Sequence, residues 1–272
     1  MNDATKRILV SIAGIPLILA AIWFGRLYFA IMVALIALLG LSELYRMAQL
    51  KQVYPNLWIG GIATVSVAWA LYGGRSDVIL IILIAATLLT LMFEMFVTAE
   101  TPMHNTAVTL FGILYVGLCL SSLIGIRESR IFSDYSAVGA LVIVVFVGVW
   151  ICDTAAYFLG VKFGKHRLFE QVSPKKSIEG SVSGLLGTAL VLFGMFYSGL
   201  LPEMSLLMTV VLILIIGVFG QIGDLMESWL KRTVGVKDSS ALIPGHGGVL
   251  DRFDSILMVA PLVFLSIQLN IF

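Results

Sequence analysis

The segment MSLLMTVVLILIIGVFGQIG, residues 204–223, contains 20 consecutive residues without a charged side chain, and Asp224 follows it directly. A helix that crosses the hydrocarbon core of a bilayer needs about 20 mostly apolar residues, with a usual range of about 17–25. The segment therefore predicts a membrane-spanning helix that leads into a charged stretch of chain.

Eight further segments share this character, so the 272 residues contain nine uncharged segments of 16 to 23 residues. They are 8–25, 27–42, 52–74, 78–93, 105–126, 135–152, 180–202, 204–223 and 255–272. The composition is 60% hydrophobic and 12% charged, against about 45–50% and about 25% in soluble domains. The sequence predicts an all-α, polytopic transmembrane helix bundle with about nine spanning helices.

Several other classes of protein are disfavoured. The formal net charge of +1 gives no reason to expect a nucleic-acid partner. Cys119 and Cys152 lie inside apolar segments and are too few for a disulfide framework or a cysteine metal site. Lys6 and Arg7 precede an apolar run without an Ala-x-Ala-like cleavage site, which favours a first span over a cleaved signal peptide.

The basic residues are distributed unequally between the two sides of the predicted bundle. With nine spans, the side of the N-terminus carries 13 of the 17 lysines and arginines, and the other side carries Arg26, Arg75, Arg127 and Arg130. The positive-inside rule places the N-terminal side in the cytoplasm. We expect a multi-pass protein of the cell inner membrane with its active-site loops in the cytoplasm. Without the two most basic loops the count is four against four, so the orientation depends on them.

Carboxylates cluster at the same ends of spans 2, 4, 6 and 8, as Glu43, Glu94, Asp153, Asp224 and Glu227. A charge at mid-bilayer costs about 2.5–3.5 kcal/mol on insertion scales, and such residues usually face a polar cavity. The carboxylates could therefore form a polar basin at the cytoplasmic face. For Glu43 and Glu94, a solvated helix-end charge in the membrane interface is an equal alternative.

The chain after span 8 concentrates charged groups. If the helix continues, Asp224, Glu227 and Lys231 lie at i, i+3 and i+7 and share one face. Such a face could form ion pairs, or it could hold a divalent cation beside a phosphate, because Mg²⁺ prefers one or two carboxylates plus phosphate oxygens.

A glycine turn follows, in the sequence Pro-Gly-His-Gly-Gly at residues 244–248. It ends any helix and lets backbone N–H groups approach an anion. Charged residues flank the turn on both sides, and Asp251 and Asp254 open span 9 at i and i+3. Six acidic or basic groups around a glycine turn, between two apolar spans, are not typical of a solvated loop.

A second polar loop joins spans 6 and 7 and includes Lys175, Lys176 and Ser177 just before a predicted helix start. A helix N-terminus favours anions, although a basic loop that sets topology or contacts anionic lipid is an alternative. The nearby Gly160-x-x-x-Gly164-Lys165 run lacks one spacer residue and the Ser or Thr of a P-loop. It is not a nucleotide-binding motif on this basis.

The run of 27 residues from Ser228 to Asp254 resembles the signature of the phosphatidate cytidylyltransferases, also called CDP-diacylglycerol synthases, without a departure. The residues around Asp153 and the Ser-Pro-Lys-Lys-Ser run at 173–177 resemble a second block of this family, with Ser177 where threonine is common. The resemblance is specific over 150–254, and the chain length is similar to that of the bacterial members. We accordingly expect 1–135 to form an N-terminal transmembrane scaffold with spans 1–5, and 136–272 to form the catalytic region with spans 6–9.

The resemblance implies an enzyme that uses CTP and phosphatidate and releases CDP-diacylglycerol and pyrophosphate, with Mg²⁺ as cofactor. It also implies a homodimer and a second, monovalent cation, K⁺. The family's metal-binding aspartates fall on Asp224 and Asp251, with Lys231 and Lys237 as further catalytic residues. We expect three further metal ligands or partners of ligands, namely Glu227, Asp254 and Asp153. The expected contacts to CTP and its phosphates are Lys175, Lys176, Ser177, Arg232, Asp238, His246, Gly247, Gly248 and Arg252.

Two rival functions are considered. A CTP-dependent polyprenol or phytol kinase of the same superfamily would transfer the γ-phosphoryl group and release CDP. A secondary transporter would place charges near mid-span and show an internal repeat, whereas here the charges lie at helix ends on one side.

Overall fold

A computed structural model describes the backbone of residues 3–97, 100–243, 245 and 247–272, and the side chains of these residues apart from 3–11 and 13. This part of the chain forms nine helical segments that coincide one to one with the nine predicted spans. They are α1 (Asp3–Phe24), α2 (Arg26–Gln49), α3 (Leu57–Tyr72), α4 (Ser76–Val97), α5 (Pro102–Arg127), α6 (Tyr135–Phe163), α7 (Ile178–Tyr197), α8 (Leu206–Val234) and α9 (Leu250–Gln268).

The lengths of these helices confirm a multi-pass membrane protein. Among the described residues, α2, α4, α5, α6, α7 and α8 are each long and apolar enough to cross a membrane, and α1 and α3 contain shorter apolar helices. One π-helical turn interrupts α5 at Ile113–Leu118, and another interrupts α8 at Ile215–Gly220. The second turn ends directly before Gln221, where the polar end of α8 begins.

The loop between α6 and α7 forms a short antiparallel hairpin, which the all-α prediction did not include. Its strands are β1 (Arg167–Phe169) and β2 (Ser173–Ser177), with Arg167 opposite Ser177 and Phe169 opposite Ser173. Val172, between the strands, is buried. Strands of three and five residues are too short to show an alternating pattern in the sequence.

Two compact units divide the chain. The first comprises Met1–Glu128 and Val234–Arg252, and the second comprises Ser129–Thr233 and Phe253–Phe272. The first unit thus contains α1–α5 and the loop before α9, and the second contains α6, the hairpin, α7, most of α8 and the body of α9.

The first unit packs around Tyr45 of α2, which is buried and donates a hydrogen bond of 2.7 Å from Oη to the carbonyl oxygen of Thr109. Gly60 of α3 and Gly112 of α5 adjoin the Tyr45 ring so closely that a Cβ at either position would overlap it. Arg127, at the end of α5, is also buried and donates from Nε to the carbonyl oxygen of Ile22, at 3.0 Å. These two buried polar side chains are thus hydrogen-bonded to helix carbonyls, which offsets the cost of placing them in an apolar environment.

The second unit depends on close contact between α6 and α7 through small residues. A Cβ on Gly180 would lie 2.8 Å from the carbonyl oxygen of Ala156 and 3.0 Å from Cα of Gly160, and one on Gly184 would lie 3.0 Å from the carbonyl oxygen of Cys152. Small residues at such positions let membrane helices approach each other without side chains between them. Gly160, which belongs to the run that superficially resembles a P-loop, thus serves helix packing.

The packing predicts a different outcome for alanine at two glycines of α7. Gly180→Ala should destabilise the protein by about 1–3 kcal/mol, because a methyl group there overlaps backbone atoms that cannot rotate away. Gly194→Ala is the matched control, since no atom lies within 4 Å of a Cβ at that position. Thermal unfolding in detergent, followed by tryptophan fluorescence, measures both, and equal midpoints for the two variants would contradict the packing.

Candidate active site

The polar end of α8 forms the first part of the candidate site. The helix continues from the predicted span to Val234, so the prediction that Asp224, Glu227 and Lys231 share a helix is confirmed. The side chains of Glu227 and Lys231 are 1% and 9% exposed and form an ion pair between Oε2 and Nζ. A buried carboxylate needs such a partner, because desolvation of an unpaired charge is strongly unfavourable.

The β-hairpin brings a second lysine to α8. Nζ of Lys176 lies 2.5 Å from Oδ2 of Asp224, and both side chains are partly buried. Lys175, its neighbour on β2, is exposed. Ser177 ends the strand and caps α7, because its Oγ accepts a hydrogen bond of 3.1 Å from the backbone N–H of Gly180. The Ser177 hydroxyl, predicted as a CTP contact, thus already has a structural role.

The start of α9 adds Asp254 to the same unit. α8 and α9 approach closely, because a Cβ on Gly223 would lie 2.6 Å from the carbonyl oxygen of Asp254. Asp254 precedes the uncharged segment of the ninth predicted span. Desolvation, followed by the negative charges of Asp224, Glu227 and Asp153, raises the pKa of Asp254 well above its usual value. We call these four residues the acidic cluster.

The acidic cluster carries more negative than positive charge. Its four carboxylates face two ammonium groups, those of Lys176 and Lys231, which leaves a net charge of −2 when all are ionised. The described residues contain no group of three or more His, Cys, Asp or Glu side chains arranged to hold a metal ion. A Mg²⁺ ion, however, typically uses one or two carboxylates and completes its shell with water and phosphate oxygens. The charge and the oxygen donors therefore fit a divalent cation.

The first unit contains a separate group of predicted site residues, in the glycine loop, residues 235–249. The described residues of this loop are not helical, and Gly235, Gly245 and Gly247 have positive φ angles of 83°, 76° and 82°. The N–H of Ile243 donates to the carbonyl oxygen of Gly247 at 2.8 Å and closes the turn. The predicted helix break is thus confirmed. His246, predicted to contact phosphate, lies outside the described residues.

Asp251 orders the end of this loop. It is 8% exposed, and its Oδ2 accepts hydrogen bonds from the N–H of Ser239 at 2.9 Å and the N–H of Gly248 at 2.7 Å. The Oγ of Ser239 lies 3.0 Å from the same oxygen, and its single proton is shared with Oε2 of Glu43. A Cβ on Gly247 would lie 2.6 Å from Oδ2 of Asp251. The Gly248 amide, expected from sequence to be free for a phosphate, thus donates to a carboxylate within the protein.

Glu43 of α2 is a residue of this region whose role was left open by the sequence. It is 1% exposed, which excludes a solvated charge in the membrane interface. Its Oε1 accepts from Ser240 Oγ at 2.6 Å and from the N–H of Val249 at 2.8 Å. Its Oε2 accepts from Ser239 Oγ at 2.8 Å and from the N–H of Leu250 at 2.9 Å.

Glu94 is buried as well, and its Oε2 accepts a hydrogen bond of 3.0 Å from Nδ2 of Asn105.

The remaining predicted site residues are exposed on the surface of their units. They are Arg232 and Asp153 in the second unit, and Lys237, Asp238 and Arg252 in the first. Exposed cations of this kind are accessible to the phosphates of a soluble nucleotide.

Comparison with known proteins identifies the class. The sequence profile of the cytidylyltransferase family matches residues 5–270 of the chain. The chain therefore belongs to the cytidylyltransferase family and is a membrane-embedded nucleotidyltransferase.

Individual relatives are similar over nearly their whole length. The phosphatidate cytidylyltransferase of Bacillus subtilis (strain 168) is 31% identical over 277 residues, which cover 99% of this chain and 99% of the relative. The phosphatidate cytidylyltransferases of Staphylococcus haemolyticus (strain JCSC1435) and Staphylococcus aureus (strain COL) are each 32% identical, over 94% of this chain and 96% of their own length.

The buried ion pair on α8 predicts a stability effect that is separate from catalysis. Lys231→Met should destabilise the protein by about 3–5 kcal/mol, because it leaves the buried Glu227 carboxylate without its ammonium partner. The double variant Glu227→Gln, Lys231→Met removes both charges and should recover most of that loss. Denaturation in detergent measures the free energy of unfolding of both variants. A Lys231→Met protein as stable as the wild type would refute the pairing.

Proposed function

We propose that the chain is a CTP:phosphatidate cytidylyltransferase that transfers CMP from CTP to phosphatidate and makes CDP-diacylglycerol for phospholipid biosynthesis. One observation carries this proposal: the family match over residues 5–270 coincides with relatives of that name that align over 94–99% of the chain. The membrane helices support a lipid substrate, because phosphatidate remains in the bilayer while CTP comes from water.

The chemistry explains why charged groups rather than an acid–base pair are needed. An oxygen of the phosphatidate phosphate attacks the α-phosphorus of CTP, and the bond from that phosphorus to the bridging oxygen breaks, which releases pyrophosphate. The nucleophile is already an oxyanion near neutral pH, so no strong general base is required. The protein must instead neutralise the phosphates, align them and stabilise the leaving group.

The second unit contributes carboxylates and lysines to this task. Asp224 and Asp254, with Asp153 beside them, would hold Mg²⁺, which on binding supplies positive charge to the phosphates. Lys176 keeps the Asp224 carboxylate in place through their 2.5 Å contact. Glu227 forms an ion pair with Lys231 and would support the metal ligands without binding the ion itself. Arg232 is an exposed cation on the same helix.

The first unit contributes the glycine loop. The resemblance assigns a metal-binding role to Asp251, and the hydrogen bonds from the N–H groups of Ser239 and Gly248 to its Oδ2 hold that carboxylate in one orientation. Lys237 and Arg252 are exposed cations suited to the CTP phosphates, and Asp238 is the exposed acid beside them. Lys175 of the other unit is a further exposed cation of this kind.

The decisive assay uses the purified protein with CTP, phosphatidate and Mg²⁺. We expect pyrophosphate and CDP-diacylglycerol in equal amounts, and no product when Mg²⁺ is removed by EDTA. Asp224→Asn and Asp251→Asn should each reduce turnover by about 10²-fold or more, because each removes a charge used to hold the metal, while thermal unfolding stays near that of the wild type.

The control for the assay is the position of the label that reaches the lipid. α-³²P from CTP must enter the lipid product, and γ-³²P must leave with pyrophosphate. Release of CDP with transfer of γ-³²P would instead identify a lipid kinase, and full activity in Asp224→Asn would refute the site.

The proposed location is the cell inner membrane, with the glycine loop and the β-hairpin in the cytoplasm. The basis is the excess of lysine and arginine on that side of the sequence. A cysteine in place of the exposed Lys237 should react with an impermeant maleimide in inside-out vesicles but not in intact spheroplasts. Arg75→Cys, exposed on the opposite predicted side, should give the reverse result, and the same labelling pattern for both would refute the orientation.

Two further proposals, a homodimer and a monovalent cation such as K⁺, rest on the family resemblance alone. Light scattering of the detergent-solubilised protein tests the first, and a monomeric mass would refute it. Replacement of K⁺ by Na⁺ in the assay tests the second, and unchanged turnover would refute it.

A further inference from the structure

The Glu43 carboxylate accepts hydrogen bonds from residues near both ends of the glycine loop. Ser239 and Ser240 lie near the start of the loop, and Val249 and Leu250 lie at its end, where α9 begins. Each oxygen of Glu43 accepts one hydroxyl and one backbone N–H, and all four distances are between 2.6 and 2.9 Å. The carboxylate belongs to α2, about two hundred residues earlier in the chain. The sequence around the glycine loop therefore does not predict this contact.

The position of Glu43 is electrostatically favourable without a cation. The N–H groups at the start of a helix have no partner within the helix, and the helix dipole places partial positive charge there. The N–H of Leu250 is the first of α9, and that of Val249 precedes it. The Glu43 carboxylate thus caps α9 from a different helix, and hydroxyl donors complete its hydrogen bonding.

Glu43 is linked to Asp251 through one hydroxyl. Ser239 Oγ lies 2.8 Å from Oε2 of Glu43 and 3.0 Å from Oδ2 of Asp251. Gly248 lies between the same groups, since a Cβ there would be 2.5 Å from Oε2 of Glu43. Any displacement of Glu43 therefore moves Ser239 and the Gly248 amide, which are the donors that orient Asp251.

We propose that Glu43 is a positioning residue for the transfer reaction, which acts by fixing the glycine loop and the start of α9 so that Asp251 is held in its working orientation. The inference rests on the proposed function. Glu43 does not contact substrate in this role, because its two oxygens are occupied by the loop. Through Glu43, the N-terminal helices would contribute a positioning residue to the reaction, whereas the sequence predicted them only as a scaffold.

Glu43→Gln is the informative variant. Whichever way the amide turns, its Nε2 faces one backbone N–H, either that of Val249 or that of Leu250, and two donors cannot pair. The matched control is Glu94→Gln, another buried carboxylate of the same unit. The glutamine oxygen there can still accept the recorded bond from Asn105.

The expected result is a fall in kcat of about 10- to 100-fold for Glu43→Gln, the size typical when a residue that orients a metal ligand is lost. The KM for phosphatidate should stay unchanged, and the Mg²⁺ concentration for half-maximal rate should rise. Ser240→Ala, which removes one donor to Glu43, should lower kcat by about three- to tenfold. Glu94→Gln should keep the kcat of the wild type.

Hydrogen–deuterium exchange supplies a readout that does not depend on turnover. Peptides covering residues 239–250 should take up deuterium faster in Glu43→Gln than in the wild type or in Glu94→Gln, because the Val249 and Leu250 amides lose their acceptor. Glu43→Asp, whose shorter side chain cannot reach both ends of the loop equally, should lie between the wild type and Glu43→Gln in both measurements.

Wild-type kcat and wild-type exchange in a folded Glu43→Gln protein would overturn the proposal. If Glu43→Gln fails to fold, Ser240→Ala and Glu43→Asp decide, and wild-type kinetics in both would overturn it equally. A wild-type protein that makes no CDP-diacylglycerol would refute the proposed function, and the catalytic role of Glu43 with it. That failure is distinguishable, because the exchange measurement would still show whether Glu43 holds the loop.

Discussion

The structure depends on one constraint: a backbone that leaves helical geometry beside a membrane must find other acceptors for its N–H groups. Between the end of α8 at Val234 and the start of α9 at Leu250, the residues that the structure describes form neither a helix nor a named strand. Carboxylate side chains supply acceptors for some of these N–H groups. Asp251 accepts two backbone N–H groups and Glu43 accepts two more. The glycine loop is therefore shaped by acids, and its glycines are required because those acids lie so close to its backbone.

The same constraint explains what the sequence could predict. Uncharged segments of 16 to 23 residues can satisfy their backbone in a bilayer only as helices, so each of the nine became a helix. The polar face from Asp224 to Lys231 is periodic, and its continuation within α8 was also predictable. The helical break at the glycine turn followed from Pro244 and its neighbouring glycines. These features are local, since the residues that cause them are adjacent in the chain.

Other features depend on contacts between distant residues and left no local signal. The role of Gly160 became clear only with Gly180 of α7 against it. Strands β1 and β2 are too short to show a pattern of their own. Glu43 is one glutamate at the end of a span, and its partners lie 196 to 207 residues away. Sequence reasoning could note its position among the acids but could not choose between solvent and the protein interior.

The two groups of acids do different physical work. In the acidic cluster, desolvation and then the like charges of Asp224, Glu227 and Asp153 raise the pKa of Asp254. Around the glycine loop, the acids are balanced by hydrogen-bond donors, and the Gly248 amide is already engaged. The glycine loop therefore differs from a P-loop, in which free amides surround the phosphate. In the proposed reaction, phosphate charge would be met by side chains, and Lys237 and Arg252 are exposed cations in or close to this loop in the chain.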